Sequence, residues 1–475
     1  MKINLPKIIQ GGMGIGVSNW HLANVVSRMG QLGVVSGTAL DQVLARRLQD
    51  GDLRGDIRRA LQAFPIPRLA QSILDAFYIP GGKPAHVPYK PIGFHTLKCN
   101  SFLDELCVVA NYVEVFLARE GHSNPVGINY LEKIQIPHLP SIYGAMLAGA
   151  SVVIMGAGIP VNVPKVLDLF CKHEAATYPV RVIDATPDTD CVRVFDPSKL
   201  YTDGLPAELV RPAFLPIISS DSLATMLLRR AEGSVEGFVI EGFTAGGHNA
   251  PPRGQMKLDE LGQPIYGVRD IVNLEAMRKI GLPFWLGGGY GSPEKLKEAL
   301  DLGAAGIQVG TAFALCEDSS FAPELRTKVR EKLLAGKATV FTDPVVSPTG
   351  FPFKVASVEG TISDPEVVRQ RTKVCDGGYL LEPYRKEDGT IGYRCAAEPD
   401  AAYLAKGGTP ESMVGRKCVC NGLLSACGLP QVRANGYIEP GIVTLGDDAL
   451  NVQRFCKEGS TSFTAEDVIR TILGA

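Results

Sequence analysis

An excess of charge of one sign is missing from this sequence. Lys and Arg number 48, Asp and Glu 50, for a net charge of −2 over 475 residues. That balance removes the electrostatic case for a nucleic-acid partner or an anionic membrane surface. Long apolar runs are missing too. The longest, such as Ala148–Ile154, fall far short of the roughly 20 residues needed to span a bilayer. The N-terminal stretch MKINLPKIIQGGMG has no charged segment followed by an apolar one, so no secretory signal is read there. Eleven cysteines is an odd number, and most are scattered, which argues for reduced thiols and a cytoplasmic location over a disulfide framework. No G-x-G-x-x-G follows a strand, so a dinucleotide fingerprint is unsupported. Internal repeats beyond strand–helix alternation are absent as well.

What is present is apolar residue (45%), glycine (52) and proline (33). The chain can build a large core, and its glycines and prolines fit many tight strand-to-helix turns. Short apolar runs alternate with helical patterns. Lys7–Gln10, Gly33–Ser36, Val126–Ile128, Ser151–Met155, Phe214–Ile218, Gly237–Glu241, Pro283–Leu286 and Gly306–Val309 are candidate strands. Ser292 with Pro293, closed by Gly303, marks one intervening helix. Continuous apolar strands between helices mean a parallel sheet covered on both faces, and eight of them close a barrel. The expected fold is therefore α/β, a (β/α)8 barrel, with a doubly wound open sheet as the competing architecture. Residues 1–360 are assigned to the barrel. A helical insertion is expected at about 39–122 and a hairpin insertion at about 178–205. Residues 361–475 read as a cysteine-containing appendage with a terminal helix.

Glycine-rich or polar stretches follow several of these strands, and in a parallel barrel all strand C-termini open onto one face. Gln10–Gly14 follows the first strand and Gly127-Ile128-Asn129 the third. Glu241–His248 places two glycines before an imidazole, the side chain most suited to proton handling near neutrality. Gly287-Gly288-Gly289 and Gly310-Thr311 follow the last two strands, where barrels build phosphate sites from backbone N–H groups and helix N-termini. A phosphate clamp, a flat glycine-lined pocket and a histidine suit a phosphorylated planar ligand. The residues alone leave FMN, a nucleotide monophosphate and a sugar phosphate all open. Among other singled-out residues, His21, His122, His138 and His173 show no ligand spacing, and Trp20 and Trp285 read as packing residues.

The segments IIQGGMG (8–14), VGIN (126–129), EGFTAGGH (241–248), WLGGGYGSPEKLKEALDLGAAGIQVGTAF (285–313) and TVFTDPVVSPTGFPFK (339–354) resemble the nitronate monooxygenases, relatives of the FMN-dependent enoyl-ACP reductases. The resemblance implies FMN as cofactor. It implies Gly12 and Met13 against the flavin, Asn129 hydrogen-bonded to it, Gly246 and Gly247 behind it, and Gly288, Gly289, Gly310 and Thr311 on its phosphate. His248 would be the catalytic residue, and Arg253 a second anion partner for substrate. Two departures stand out: Thr244 where many members carry Glu, and Asn249-Ala250-Pro251-Pro252-Arg253 where a Gly is usual soon after the histidine. The expected reaction is oxidation of an alkyl nitronate by O2 to a carbonyl compound and nitrite. The rivals are an NAD(P)H-dependent reductase of enoyl thioesters or quinones and a non-catalytic flavin-binding accessory role. The expected partners are a small-molecule substrate and O2, with a homo-oligomer left open. Finally, Cys375, Cys395, Cys418 and Cys420 form a candidate four-thiolate zinc set, with Cys427 nearby; buried thiols are the competing reading. A hairpin from Tyr379 to Tyr393 would bring the first two together.

Overall fold

Eight parallel strands form one sheet: β1 (Ile8–Gln10), β2 (Gly33–Ser36), β3 (Val126–Leu131), β4 (Val152–Gly156), β5 (Ala213–Ile218), β6 (Phe238–Glu241), β7 (Phe284–Gly287) and β8 (Gly306–Val309). These are the eight runs expected, shifted by up to three residues at their ends. The computed structural model describes residues 5–433 and 435–474. From β2 to β8 each strand pairs with its chain neighbour, and β8 returns to β1 through Ile8–Ile307, Ile9–Gln308 and Gln10–Val309. The seam between β1 and β2 is closed by an Ile9–Leu32 bridge and by Gln10 N–H to Leu32 O (2.9 Å). The Gln10 side chain continues that ladder by accepting from Val34 N–H at 2.9 Å. With no free edge left, the open-sheet alternative is ruled out and the fold is a (β/α)8 barrel.

Strand alternation sorts side chains into two cores, because successive residues face opposite sides of a sheet. Ile9, Val34, Val152, Ile154, Leu215, Val239 and Trp285 pack together inside the barrel. Their neighbours Ile8, Val35, Val153, Phe214, Phe238, Phe284 and Leu286 join the core beneath the surrounding helices. Full burial of each such side chain contributes about 1.5–3 kcal/mol. Trp285 is a packing residue, and its indole N–H donates to Pro6 O at 2.8 Å.

Between β2 and β3 lie helices 40–49, 56–62, 67–77 and 101–119. The last carries Asn100 as its N-cap, accepting from Leu103 N–H. The hairpin insertion pairs Ala176–Pro179 with Val192–Phe195, so its first strand starts earlier than the sequence suggested. A second hairpin joins Val340–Asp343 to Phe353–Ala356, and a third joins Glu382–Arg385 to Ile391–Arg394. Leu429, Ile442, Leu445, Phe463 and Ile469 from the C-terminal stretch belong to the same continuous core as the barrel helices. Helix Ala465–Leu473 starts with a Thr464–Asp467 capping box. Among the described residues, no helix is long and apolar enough to cross a membrane.

Candidate functional site

The strand C-termini surround a cavity of about 240 Å³. Gly12, Met13, Asn129, Gly246, Gly247, His248, Gly288, Gly289, Gly310 and Thr311 all line it, although almost 300 residues separate the first from the last. Their approach depends on missing side chains at two places. A Cβ on Gly12 would lie 2.3 Å from Cβ of Asn129. Gly288 has φ of +88°, a conformation L residues rarely adopt, and a Cβ there would lie 2.9 Å from Thr244 Oγ1. Asn129 donates through Nδ2 to Gly12 O (3.2 Å), while its buried Oδ1 has no protein partner. A buried acceptor with no donor costs free energy unless a ligand satisfies it.

His248 is held from two sides. Its backbone bridges to Phe353 and its ring meets Phe353 edge-on at 4.8 Å. Its Nε2 shares a 2.7 Å hydrogen bond with Ser347 Oγ. Both partners come from the segment 339–354. The ring is half-buried and faces the cavity; burial, with Lys133 nearby, pushes its pKa down to about 3. At neutral pH His248 is therefore an uncharged imidazole, not a standing positive charge. Glu241 ends β6 in the cavity wall, and burial alone raises its carboxyl to about 7. Nothing in its residue type or spacing separated Glu241 from an ordinary strand end; the raised pKa needs the surrounding walls.

A strap from the C-terminal stretch completes the cavity. Ile442, Val443, Thr444, Leu445, Gly446 and Asp448 line it. Thr444 Oγ1 accepts from Gly247 N–H (2.7 Å), Thr311 Oγ1 accepts from Gly446 N–H (2.9 Å), and Asp447 N–H reaches Thr244 O (2.9 Å). Lys354 ties the strap down through Asp447 at 2.7 Å. A Cβ on Gly246 would lie 2.9 Å from the Leu445 backbone, so Gly246 makes room for the strap. The sequence reading missed the strap because its residues carry no recognisable motif. Asp448 adds a carboxyl group at the Gly291 and Gly446 end of the cavity, and burial raises its pKa.

Two further expectations concern Arg253 and the cysteines. Arg253 is exposed and does not line the cavity; its backbone N–H is pinned to Asp270 Oδ1 (2.7 Å), and the loop after Pro251-Pro252 runs over the surface. The cation that bears on His248 is Lys133, which borders an adjoining cavity and is pushed down to about 8 by burial and Arg181. The zinc expectation concerned four thiols. Cys375, Cys395, Cys418 and Cys420 do line one small cavity. Among the described residues, however, the one trio of His, Cys or carboxylate ligand atoms within 4.8 Å of one another is Asp41, His95 and Cys107. In that trio His95 Nε2 contacts Asp41 Oδ2 at 2.7 Å, and Tyr379 donates to Asp41 Oδ1 at 2.5 Å. Burial works to raise the Asp41 carboxyl, but His95 and Tyr379 together hold it below its usual value. Of the other histidines, His138 and His173 are buried in hydrogen bonds to Leu131 O (3.1 Å) and Tyr143 (2.7 Å).

Fold and cavity together define a (β/α)8-barrel protein with a glycine-lined ligand pocket at its C-terminal mouth. Residues 209–348, which hold the His248 loop and both C-terminal glycine turns, match the family model described as nitronate monooxygenase. The resemblance drawn from the motifs is thus borne out over that stretch. The chain is 35% identical over 114 residues to a nitronate monooxygenase of Pseudomonas aeruginosa. It is 30% identical over 115 residues to a "Probable nitronate monooxygenase" of Bacillus subtilis. Each match covers 24% of this chain and 31% of the relative's length. Among solved structures, FabK from Thermotoga maritima aligns over 99% of this chain and 92% of its own, at 15% identity and a TM-score of 0.49. A nitroalkane oxidase from Streptomyces ansochromogenes aligns over 99% and 96%, at 13% identity and a TM-score of 0.49.

Proposed function

We propose that the protein is a flavin-dependent oxidoreductase that binds FMN in the 240 Å³ cavity and oxidises alkyl nitronates with O2, yielding a carbonyl compound and nitrite. The observation that carries this reading is the convergence of Gly12, Asn129, Gly246–His248, Gly288–Gly289 and Gly310–Thr311 on one cavity. The residues fit a flavin. Asn129 offers an unsatisfied acceptor, Gly12 and Met13 give a face without bulky branches, and Gly288, Gly289, Gly310 and Thr311 offer close backbone approach and a hydroxyl for the phosphate. Bound flavin supplies the electron-accepting chemistry.

The protein's part is to bind, orient and manage charge. His248, fixed by Ser347 and Phe353, presents a neutral ring to the substrate. An anion arriving beside that ring favours its protonated form, so binding a nitronate raises the imidazole's proton affinity and strengthens their hydrogen bond. Glu241 exchanges a proton near neutrality within the same walls. The strap shields the cavity from water, where hydrogen bonds and charges act more strongly.

The adjoining cavity of about 350 Å³ favours a second reading. It shares Ile134, Tyr379 and Leu380 with the first and is bordered by Lys133 and Arg181, so a larger anionic substrate such as an acyl thioester would fit across both. The two reactions separate cleanly in one cuvette. The yellow protein is mixed anaerobically with NADPH and, separately, with a nitronate. Bleaching by the nitronate alone, with nitrite released in air, is the result expected; rapid bleaching by NADPH would establish the reductase. A chain that neither purifies yellow nor takes up FMN would sink both.

A further inference from the structure

The 350 Å³ chamber beside the glycine-lined cavity brings two cations together without a counterion. Lys133 follows β3, Arg181 follows strand Ala176–Pro179, and both border the chamber. Lys133 is half-buried. Its Nζ makes a long contact to Thr349 O (3.4 Å) and lies over the Phe351 ring, 3.2 Å from the centroid. An ammonium has three donors, so two of them find no protein acceptor among the described residues. Of Arg181, only the backbone N–H is engaged among the described residues, by Gln135 Oε1 at 2.8 Å. Two carboxylates border the same chamber, and neither comes within ion-pair reach of Lys133. Glu132 is taken up by Gln135 Nε2 (2.7 Å) and Tyr178 (3.4 Å), and Glu382 opens strand Glu382–Arg385. His95, also on the wall, is turned to Asp41 at 2.7 Å. Burial and Arg181 outweigh both carboxylates and lower Lys133 to about 8. A half-buried cation beside a like charge is unfavourable until an anion joins it.

The walls describe the rest of that anion. Ile134, Ile136, Ile159, Val180, Ile183 and Leu381 line the chamber, and Ile159 is 51% exposed. A small inorganic ion would leave most of this space unfilled, since one water's share of the liquid is only about 30 Å³. Apolar walls with a few polar groups that fix orientation are the usual form of a small-molecule site. Aliphatic walls suit an aliphatic tail. With Glu132 and Glu382 close by, a singly charged carboxylate suits the seat better than a doubly charged phosphate.

We infer that this chamber binds a medium-chain fatty carboxylate, its head on Lys133 and Arg181 and its tail along the isoleucine wall. The assignment concerns the chamber alone and stands whichever substrate the glycine-lined cavity takes. Titration calorimetry on the full chain tests it with octanoate, octanol and acetate. Octanoate should bind at about one per chain and about tenfold or more tighter than octanol, which lacks the charge, or acetate, which lacks the tail. Lys133→Met keeps an apolar stem and removes the charge. It should weaken octanoate about tenfold and leave octanol unchanged, while Lys165→Met, outside the chamber, alters neither. Circular dichroism shows that each variant has folded. Should Lys133→Met fail to fold, Arg181→Gln at the exposed mouth carries the same comparison. Octanol binding as tightly as octanoate, a folded Lys133→Met that holds octanoate like the parent, or no octanoate binding at all overturns the assignment.

Discussion

At His248 and Glu241 one cavity pushes two side chains in opposite directions. Burial favours the uncharged form of each, so the histidine falls to about 3 and the glutamate rises to about 7. The consequences for stability have opposite signs. Between the glutamate's ordinary value of 4.5 and about 7, the folded chain holds a proton at Glu241 that the unfolded chain releases, so this contribution is full in acid and is lost as pH rises through 7. Between about 3 and 6.5 the unfolded chain takes up a proton that His248 refuses, so that contribution is full above 6.5 and is lost as pH falls. Glu241→Gln removes the first and leaves the second. Its melting temperature at pH 8 should exceed that of the parent by a few degrees, from about 3 kcal/mol at most, with little difference at pH 4.5; scanning calorimetry at the two pH values checks it. His248→Ala should lower turnover about 100-fold or more while bound flavin is retained; unchanged turnover would remove the residue from the chemistry. Asp448 makes a third expectation. Its carboxyl borders the end assigned to phosphate. Asp448→Asn should therefore tighten FMN binding about tenfold, measured by flavin fluorescence quenching, because it removes a like charge.

Elements explain what could be read in advance and what could not. Strands were legible because β-branched and aromatic runs such as Phe214–Ile218 lie between well-marked helix ends, Ser220 and Ser292 among them. Glycine turns after β1, β6, β7 and β8 were legible because a parallel barrel gathers strand ends on one rim. Contacts between distant loops were not. Gly246 looked like a surface for the cofactor, yet the atoms closest to its missing side chain belong to Leu445 and Gly446. Arg253 looked like a second anion site because only its distance along the chain from His248 was visible, not the turn that carries it outward. Glu241 sat inside a motif, but its altered acidity is a property of walls built from many other segments. The strap predicts a packing defect. Gly246→Ala forces Cβ against backbone that cannot rotate away, which should cost about 1–3 kcal/mol and loosen the cofactor; thermal unfolding and FMN retention on a desalting column read the two effects.

For the whole molecule, the helix Ala465–Leu473 is as much a part of the structure as the barrel. Helix Ala465–Leu473 buries Val468, Ile469 and Ile472 in the common core, and Ala465 N–H is held by Asp318 at 2.7 Å. Ile469→Ala should destabilise the protein by about 2–5 kcal/mol, seen as an earlier midpoint in urea. It should leave the chemistry intact at temperatures where the chain stays folded.

The order in which the cavity is made follows from the strap. Residues 11–15 and residues 442–448 both line it, so its walls cannot meet until the whole span between them has been made. Under the proposed function, flavin uptake waits for both segments. A bound yellow chromophore would certify that a given copy has finished folding, not merely that its barrel has closed.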